Sequence, residues 1–237
     1  LFLSIFKNKN TREILMNELN EIKTLGEVSQ SLDSTARTYP VLIGENLGFR
    51  TLKMSVPLNE FILISGVGSR KNIDEIEAFQ GEFHAQRNLI RDHAVGLAKY
   101  TLMGLVRSEI NARKKKSQTV RSDILDILKG LGDPAYASLQ PVVCNIRNCA
   151  PGGDDLQVAQ IADMNAIFNI TLTSKHILWV VDGQHRREGF DLVLNFLKHI
   201  KNKMTYPKKG LYEPASYIGS YVSEEIHDFW MSVLEMA

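Results

Sequence analysis

The chain has 237 residues, 44% of them hydrophobic and 23% charged, and a formal net charge of +1. That length can bury a sizeable core in one domain, or in one domain with an appendage. A near-neutral charge excludes a globally basic nucleic-acid binder, so any nucleic-acid contact must come from local basic patches. Cys144 and Cys149 fit neither a metal knuckle nor a disulfide framework, and no apolar run approaches the roughly 18 residues of a membrane span. We therefore expect a cytoplasmic protein without a membrane partner.

Helical spacing followed by a polar stretch predicts an N-terminal arm. Apolar residues recur with a helical period in 11–32, and residues 29–38 are small and polar, as in a linker. We therefore divide the chain into a helical arm with its linker, a central domain, and a loop with the start of a C-terminal helical region, at 1–38, 39–205 and 206–237. The chain lacks an initiator Met and its last helix pattern has no stop signal, so we expect a piece of a longer protein.

Strand and helix patterns are interspersed along the central domain. Strand patterns occur at four places: 41–43, 49–56, 141–146 and 176–181. The first two flank the turn Gly-Glu-Asn-Leu-Gly and predict a hairpin. Helical patterns also occur at four places: 72–80, 88–107, 124–128 and 186–203. Two further segments fit either a helix or a strand: 57–64 and 161–173. Together these patterns predict an α/β or α+β domain with a mixed sheet and flanking helices.

One strand pattern runs directly into a polar turn, Asp182-Gly183-Gln184-His185-Arg186-Arg187, before a helix begins. A helix start exposes backbone N–H groups and the positive end of the helix dipole, and a glycine lets a ligand approach the backbone. Two arginines in a first turn are unfavourable for the helix alone, which implies a negative partner such as Asp182, Glu188 or a ligand phosphate. Two interpretations remain open: a helix capped by Asp182 with an internal Asp–Arg pair, or a phosphate-binding turn.

The string Asp182-Gly183-Gln184-His185-Arg186 resembles the signature of the DGQHR-domain family, whose DndB-like and DpdB-like members belong to the wider ParB/sulfiredoxin-like fold. In ParB and sulfiredoxin, related turns hold nucleotide phosphates at a helix start. Further segments are similar to a DndB-type start, to the first ParB box and to the strand between the boxes: 39–48, 86–88 with 93–100, and 141–144. The resemblance covers residues 39 to 200, approximately.

The resemblance implies a ParB/sulfiredoxin-like domain associated with DNA phosphorothioation or 7-deazaguanine DNA-modification systems. The nucleotide phosphates would be contacted by the turn and by one arginine of the first box: Gly183, Gln184, His185, Arg186 and Arg87. Arg187 would add to this anion site from the first helical turn. Asp182 would cap the turn or help to hold a metal ion, and Asp182, His185 and Arg186 would be the catalytic residues of an enzyme.

Two positions depart from the related families. Gly189 stands where ParB proteins usually have Ala, which puts ParB-like switching by CTP in doubt. Gln184 stands where sulfiredoxin has its reactive cysteine, so thiolate chemistry is not expected at this turn. The six histidines show no metal-ligand spacing, and no resident metal site is predicted.

The densest basic run is Arg113-Lys114-Lys115-Lys116 with Arg121 nearby. Such a run fits either a solvated helix end or a sequence-independent contact with DNA phosphates. A second, looser basic zone follows the DGQHR-like turn: Lys198, Lys201, Lys203, Lys208 and Lys209. If both zones lie on one face, DNA binding is the better interpretation.

We therefore expect a nucleotide-binding, DNA-associated protein that binds ATP or CTP with Mg²⁺ and regulates or assists a DNA-modification system. The alternatives are a nucleoside-triphosphatase such as an ATPase, or a nuclease, of the ParB-like fold, and a structural turn in a protein–protein contact module. A second acid near the turn would favour an enzyme, and Glu188 and Asp163 are the candidates. The expected partners are a nucleotide, DNA, other DNA-modification proteins and further copies in a homo-oligomer.

Overall fold

A computed structural model of the chain describes residues 2–5, 36–67, 89–132, 138–146, 156–161, 167–173, 176–214 and 221–237. The strands within these ranges are β1 (Phe2–Ile5), β2 (Arg37–Asn46), β3 (Phe49–Met54), β4 (Ser65–Gly66), β5 (Val143–Ile146), β6 (Gln157–Gln160), β7 (Ile167–Leu172) and β8 (Leu178–Asp182). The helices are α1 (Leu58–Ile64), α2 (Arg91–Lys115), α3 (Ser122–Leu131), α4 (Gln184–Lys203) and α5 (Glu224–Met236). The protein has an α+β fold with a mixed sheet, which confirms the predicted class.

The chain forms two compact units, each assembled from separate stretches of sequence. The sheet unit comprises the described residues of Leu1–Val56, Leu63–Gln86 and Pro141–Gly183. The helical unit comprises those of Pro57–Ile62, Arg87–Gln140 and Gln184–Ala237. The polar turn therefore straddles a change of unit, because Gly183 ends one stretch of the sheet unit and Gln184 begins the last stretch of the helical unit.

The sheet unit contains eight described strands in the order β4-β8-β5-β1-β3-β2-β7-β6. The pairs β4/β8 and β1/β5 are parallel, and the other five neighbouring pairs are antiparallel. The predicted hairpin is confirmed: β2 and β3 are joined by Leu47 and Gly48, whose φ angles are 51° and 80°. Two positive φ values in a two-residue loop match the twist of paired strands.

Strand β8 leads into the polar turn and buries one of its faces. Leu178 and Val180 are buried, whereas Trp179 is half-buried and Val181 is 54% exposed. This alternation follows the two-residue period of a strand and explains why an apolar run can carry a partly exposed face. The register with β5 shifts beside Val143, so that the end of β8 departs from regular pairing.

The helical unit has one core to which α2, α3, α4 and α5 all contribute. Trp230 and Phe229 of α5 are fully buried, and the Nε1–H of Trp230 donates to the hydroxyl oxygen of Tyr206 at 3.1 Å. Each large apolar side chain buried in this way contributes about 1.5–3 kcal/mol to folding. Within the described residues, no helix is long and apolar enough to cross a membrane.

Most predicted elements of the described ranges are present, with shifted ends. Helix α2 continues eight residues past the predicted end at 107, and α4 begins two residues before the predicted 186. Segment 57–64 is helical, and segment 161–173 contains strand β7. Gly130 lies inside α3, while Gly132 ends that helix with φ of 98°. The helices predicted at 11–32 and 72–80 lie outside the described residues.

Candidate functional site

The polar turn is built around a glycine in a left-handed conformation. Gly183 has φ of 95°, lies between the last residue of β8, Asp182, and the first residue of α4, Gln184, and is half-buried. L-residues rarely adopt such φ values because Cβ would crowd the backbone, so the position selects glycine. Gly183 directly precedes the helix, and Asp182 takes part in an interaction within the protein, so the capping interpretation stays open. Asp182 is exposed at the strand end, opposite Val143 of β5.

His185, in the first turn of α4, is fixed by a hydrogen bond to the start of another helix. Its Nε2 atom accepts the backbone N–H of Ile90 at 2.9 Å, and Ile90 is the residue that precedes α2. A backbone N–H can only donate, so Nε2 carries no proton and Nδ1 carries it in the neutral ring. The Nδ1–H group of His185 is therefore a hydrogen-bond donor of defined position.

A second histidine, His93, lies beside the first. The ring centroids of His93 and His185 are 4.9 Å apart with an angle of 38° between the ring planes. His93 belongs to the first turn of α2 and is exposed, so the first turns of α2 and α4 meet at this pair. The histidine spacing in the sequence gave no reason to select His93. Its only signal was its place in the segment that resembles the first ParB box.

The remaining side chains of the first turn of α4 are half-buried, and their arginines differ in role. Arg187 donates from Nη2 to the carbonyl oxygen of Ile62 at 3.3 Å, which ties α4 to α1 within the helical unit. The Nε atom of Arg186 is buried, and both Arg186 and Gln184 take part in interactions within the protein. Arg187 thus has a structural role in this conformation. Arg186 is the arginine next to His185 in the sequence.

Several predicted residues are not brought into this cluster. Arg87 and Asp163 lie outside the described residues. Glu188 is half-buried in α4, and the part of the chain that the structure describes contains no group of three or more His, Cys, Asp and Glu residues able to hold a metal ion.

The predicted DNA-binding run divides into engaged arginines and exposed lysines. Arg113 forms an ion pair with Glu109 at 2.6 Å, and its guanidinium lies 5.2 Å from the centroid of the Phe229 ring. Arg121 binds Asp123 at 2.8 Å and lies 3.6 Å from Glu225, and the hydrogen bond that Arg121 donates to the Asp123 carboxylate raises the pKa of Arg121. By contrast, three lysines at the end of α2 are exposed: Lys114, Lys115 and Lys116.

Comparison with known proteins adds no relative. No family model, no curated protein and no solved structure matches the chain. Membership of the DGQHR-domain family and the ParB/sulfiredoxin-like fold therefore remain expectations that rest on the sequence motif. The candidate site rests on the geometry around His185 in the helical unit.

Proposed function

We propose that the helical unit binds the phosphates of a nucleotide, ATP or CTP, at the start of α4. The protein would act as a DNA-associated regulator or accessory factor of a DNA-modification system of the DGQHR type. The observation that supports this proposal best is the meeting of two helix starts, where Ile90 donates to His185 at 2.9 Å. Each helix start carries a partial positive charge of about half an elementary charge, so two adjacent starts favour an anion.

The side chains of the first turn of α4 suit phosphate oxygens. His185 presents its Nδ1–H as a donor, and Arg186 supplies a guanidinium whose fork of N–H groups matches phosphate geometry. Gly183 has no Cβ, so the backbone before the helix can come close to a ligand. The donors therefore come from the turn itself, as the sequence motif predicts.

The same geometry favours binding over hydrolysis by His185. A general base needs a lone pair to accept a proton, and the Nε2 lone pair of His185 is already used by the N–H of Ile90. Proton abstraction at Nε2 would first require loss of this hydrogen bond. We therefore place nucleotide binding before the nucleoside-triphosphatase or nuclease alternative.

Nucleotide titration combined with a phosphate-release assay tests the proposal. ATP, CTP and GTP are titrated with and without Mg²⁺ by calorimetry against the wild type, Arg186→Ala and Arg186→Lys. Arg121→Ala is the matched control, since it removes an equal charge from the start of α3 in the same unit. Released phosphate is measured with and without duplex DNA, and thermal unfolding checks that each variant is folded.

We expect saturable binding of ATP or CTP that weakens at least tenfold in Arg186→Ala and is partly restored in Arg186→Lys. The Arg121→Ala variant should bind like the wild type. Binding without phosphate release supports a nucleotide-responsive binding module, whereas release that depends on Arg186 supports the enzyme. Absence of binding to the folded wild type would contradict the proposal and leave the turn with a structural role.

A further inference from the structure

The two longest helices of the helical unit run side by side in the same direction. At one level His185 of α4 contacts Ile90 and His93, and one turn later Gly189 of α4 lies against Ala94. Both contacts advance along α2 and α4 together, so the helices are parallel. The C-terminal ends of α2 and α4 must then lie towards the same end of the helical unit.

Aromatic contacts link these two C-terminal ends. The guanidinium of Arg113, near the end of α2, lies 5.2 Å from the ring centroid of Phe229. The Phe229 and Trp230 centroids are 5.6 Å apart, and the Trp230 ring lies 5.4 Å from that of Phe196 in α4. Arg113 of α2 therefore packs on Phe229, and Phe196 in the second half of α4 packs on the neighbouring Trp230, so both helices contact α5 beside their basic zones.

The side chains at this end are strongly basic. Segment 107–121 contains six basic residues and one acidic residue, and segment 198–209 contains five lysines and no acidic residue. Eight lysines of these segments are exposed, and none forms an ion pair with a described residue: Lys114, Lys115, Lys116, Lys198, Lys201, Lys203, Lys208 and Lys209. We call these eight residues the lysine surface.

Three of the neighbouring acids are paired with arginines, and the carboxylate of Glu213 accepts the backbone N–H of Lys209 at 2.9 Å. Glu109 is held by Arg113, and Glu225 and Asp123 are held by Arg121. The guanidinium groups of these arginines are therefore engaged in ion pairs within the protein. We do not assign them to bidentate hydrogen bonds with guanine bases. Lysines act as point charges towards phosphates and carry little base information.

We propose that the lysine surface binds the phosphate backbone of duplex DNA without reading its sequence. The choice of DNA as the polyanion rests on the proposed function, whereas the position of the surface rests on the packing of α2, α4 and α5. This surface leaves out Arg113 and Arg121, which are held in ion pairs, and takes its lysines from both basic zones. It unites two zones that lie more than eighty residues apart in the sequence.

A competing role for some of these charges is to stabilise helix ends, because cations near a helix C-terminus interact favourably with its dipole. Lys114 and Lys115 lie in the last turn of α2, and Lys201 and Lys203 in the last turn of α4. That role alone would make lysine removal reduce thermal stability without any change in DNA affinity. The two roles therefore differ in what they predict for binding.

Fluorescence anisotropy of a labelled duplex of about 20 base pairs, measured over a range of salt concentrations, tests the surface. One combined variant carries Lys114→Gln, Lys115→Gln and Lys116→Gln, and a second carries Lys198→Gln, Lys201→Gln and Lys203→Gln. The single variants Lys115→Gln and Lys99→Gln form a matched pair on α2, with their positions separated by about 24 Å along the helix. Unfolding curves accompany every variant.

We expect each combined variant to lose at least tenfold in affinity and to reduce the salt slope by about one per lost phosphate contact. Lys115→Gln should weaken binding, and Lys99→Gln should not. The proposed DNA-binding role would be overturned if both combined variants bound the duplex with the affinity of the wild type. It would also be overturned if the variants lost stability without losing affinity.

Two further arms identify the ligand. Tyr221, 68% exposed and bridged to Thr205 just beyond α4, would stack on bases of a single strand. Stronger binding to single strands than to duplex, with a loss in Tyr221→Ala, would contradict the duplex assignment, as would preferential binding to vesicles of anionic lipid. If the protein does not bind duplex DNA but still binds ATP or CTP at α4, only the proposal for the lysine surface is wrong. If the protein binds duplex DNA but no nucleotide, only the proposal for the phosphate site is wrong.

Discussion

The Nε2 atom of His185 accepts the backbone N–H of Ile90 at 2.9 Å, so a side chain at the start of α4 completes the start of α2. Ile90 has no side chain that could cap α2, and no side-chain cap bond is present at that residue. The histidine thus replaces a local capping residue with a partner 95 positions away in the chain. It also orients the Nδ1–H group that we assign to a phosphate.

Replacing His185 by Phe should lower the free energy of unfolding. The Phe ring keeps most of the volume but removes the acceptor of the Ile90 N–H, and loss of one such hydrogen bond costs about 1 kcal/mol. His93→Phe is the matched control, because His93 is exposed and contacts His185 only through its ring. Urea unfolding should show the loss for His185→Phe and less than about half of it for His93→Phe. Equal effects of the two changes would refute the capping role of His185.

Gly183→Ala should destabilise the protein by about 1–2 kcal/mol, because φ of 95° is unfavourable for a residue with a Cβ. Gly96→Ala should have the opposite sign. Gly96 lies inside α2 with no atom within 4 Å of a built Cβ, so alanine gains about 0.5–1 kcal/mol there. Denaturant midpoints of both variants measure the contrast, and a stabilising Gly183→Ala would show that the turn does not hold this conformation.

Gly189→Ala should increase the distance between α2 and α4 at their contact. A Cβ at this position would lie 3.2 Å from both the Ala94 carbonyl oxygen and the Ala98 amide nitrogen, which are backbone atoms that cannot rotate away. Overpacking of this kind costs about 1–3 kcal/mol. Because the shift occurs one turn from His185, we also expect altered NMR signals of Ile90. A variant as stable as the wild type, with the Ile90 amide unmoved, would contradict such close helix packing.

Tyr206 should make stability fall in strongly alkaline solution. Burial raises its pKa from 10.0 to about 12, although the hydrogen bond from Trp230 acts in the opposite direction. The unfolded chain therefore loses this proton first as pH rises, and the folded state loses about 2–3 kcal/mol between pH 10 and 12. The difference in unfolding free energy between the wild type and Tyr206→Phe isolates this contribution, since all other groups titrate in both. A pH-independent difference would show that Tyr206 is not so buried.

Phe at position 206 also leaves the Trp230 Nε1–H without its acceptor inside the core. We expect Tyr206→Phe to cost about 1–3 kcal/mol near neutral pH for that reason. The difference in unfolding free energy between the wild type and Tyr206→Phe should then become smaller as pH rises towards 12.

Local patterns allowed the strand–turn–helix at 178–203 and the hairpin of β2 and β3 to be predicted. In both places the turn chemistry is explicit, with Gly183 and Gly48 at positive φ. Strand β6, with the sequence Gln-Val-Ala-Gln, was not predicted because it has too few apolar residues to alternate. Its pairing with β7 supplies the backbone hydrogen bonds that define it.

Only the α4 part of the candidate site could be predicted from the sequence. The DGQHR-like string selected His185 and Arg186, since the motif residues are consecutive. Its partners Ile90 and His93 come from a helix more than ninety residues earlier, and no local pattern predicts that two helix starts meet. Likewise, the basic run gave no sign that Arg113 is held by Glu109, because a charge pair at helical spacing looks the same whether it is buried or solvated.

The imidazole nitrogens of His185 give the most direct test of the phosphate site. Long-range ¹H–¹⁵N NMR spectra of the histidine rings are recorded during a titration with ATP and with CTP, and the His185→Phe variant assigns the signals. We predict that the neutral ring of His185 carries its proton on Nδ1, and that a saturating nucleotide shifts the Nδ1 signal while Nε2 keeps its bond to Ile90. Nucleotide binding that leaves both nitrogens unchanged, or a proton on Nε2 in the free protein, would contradict the account.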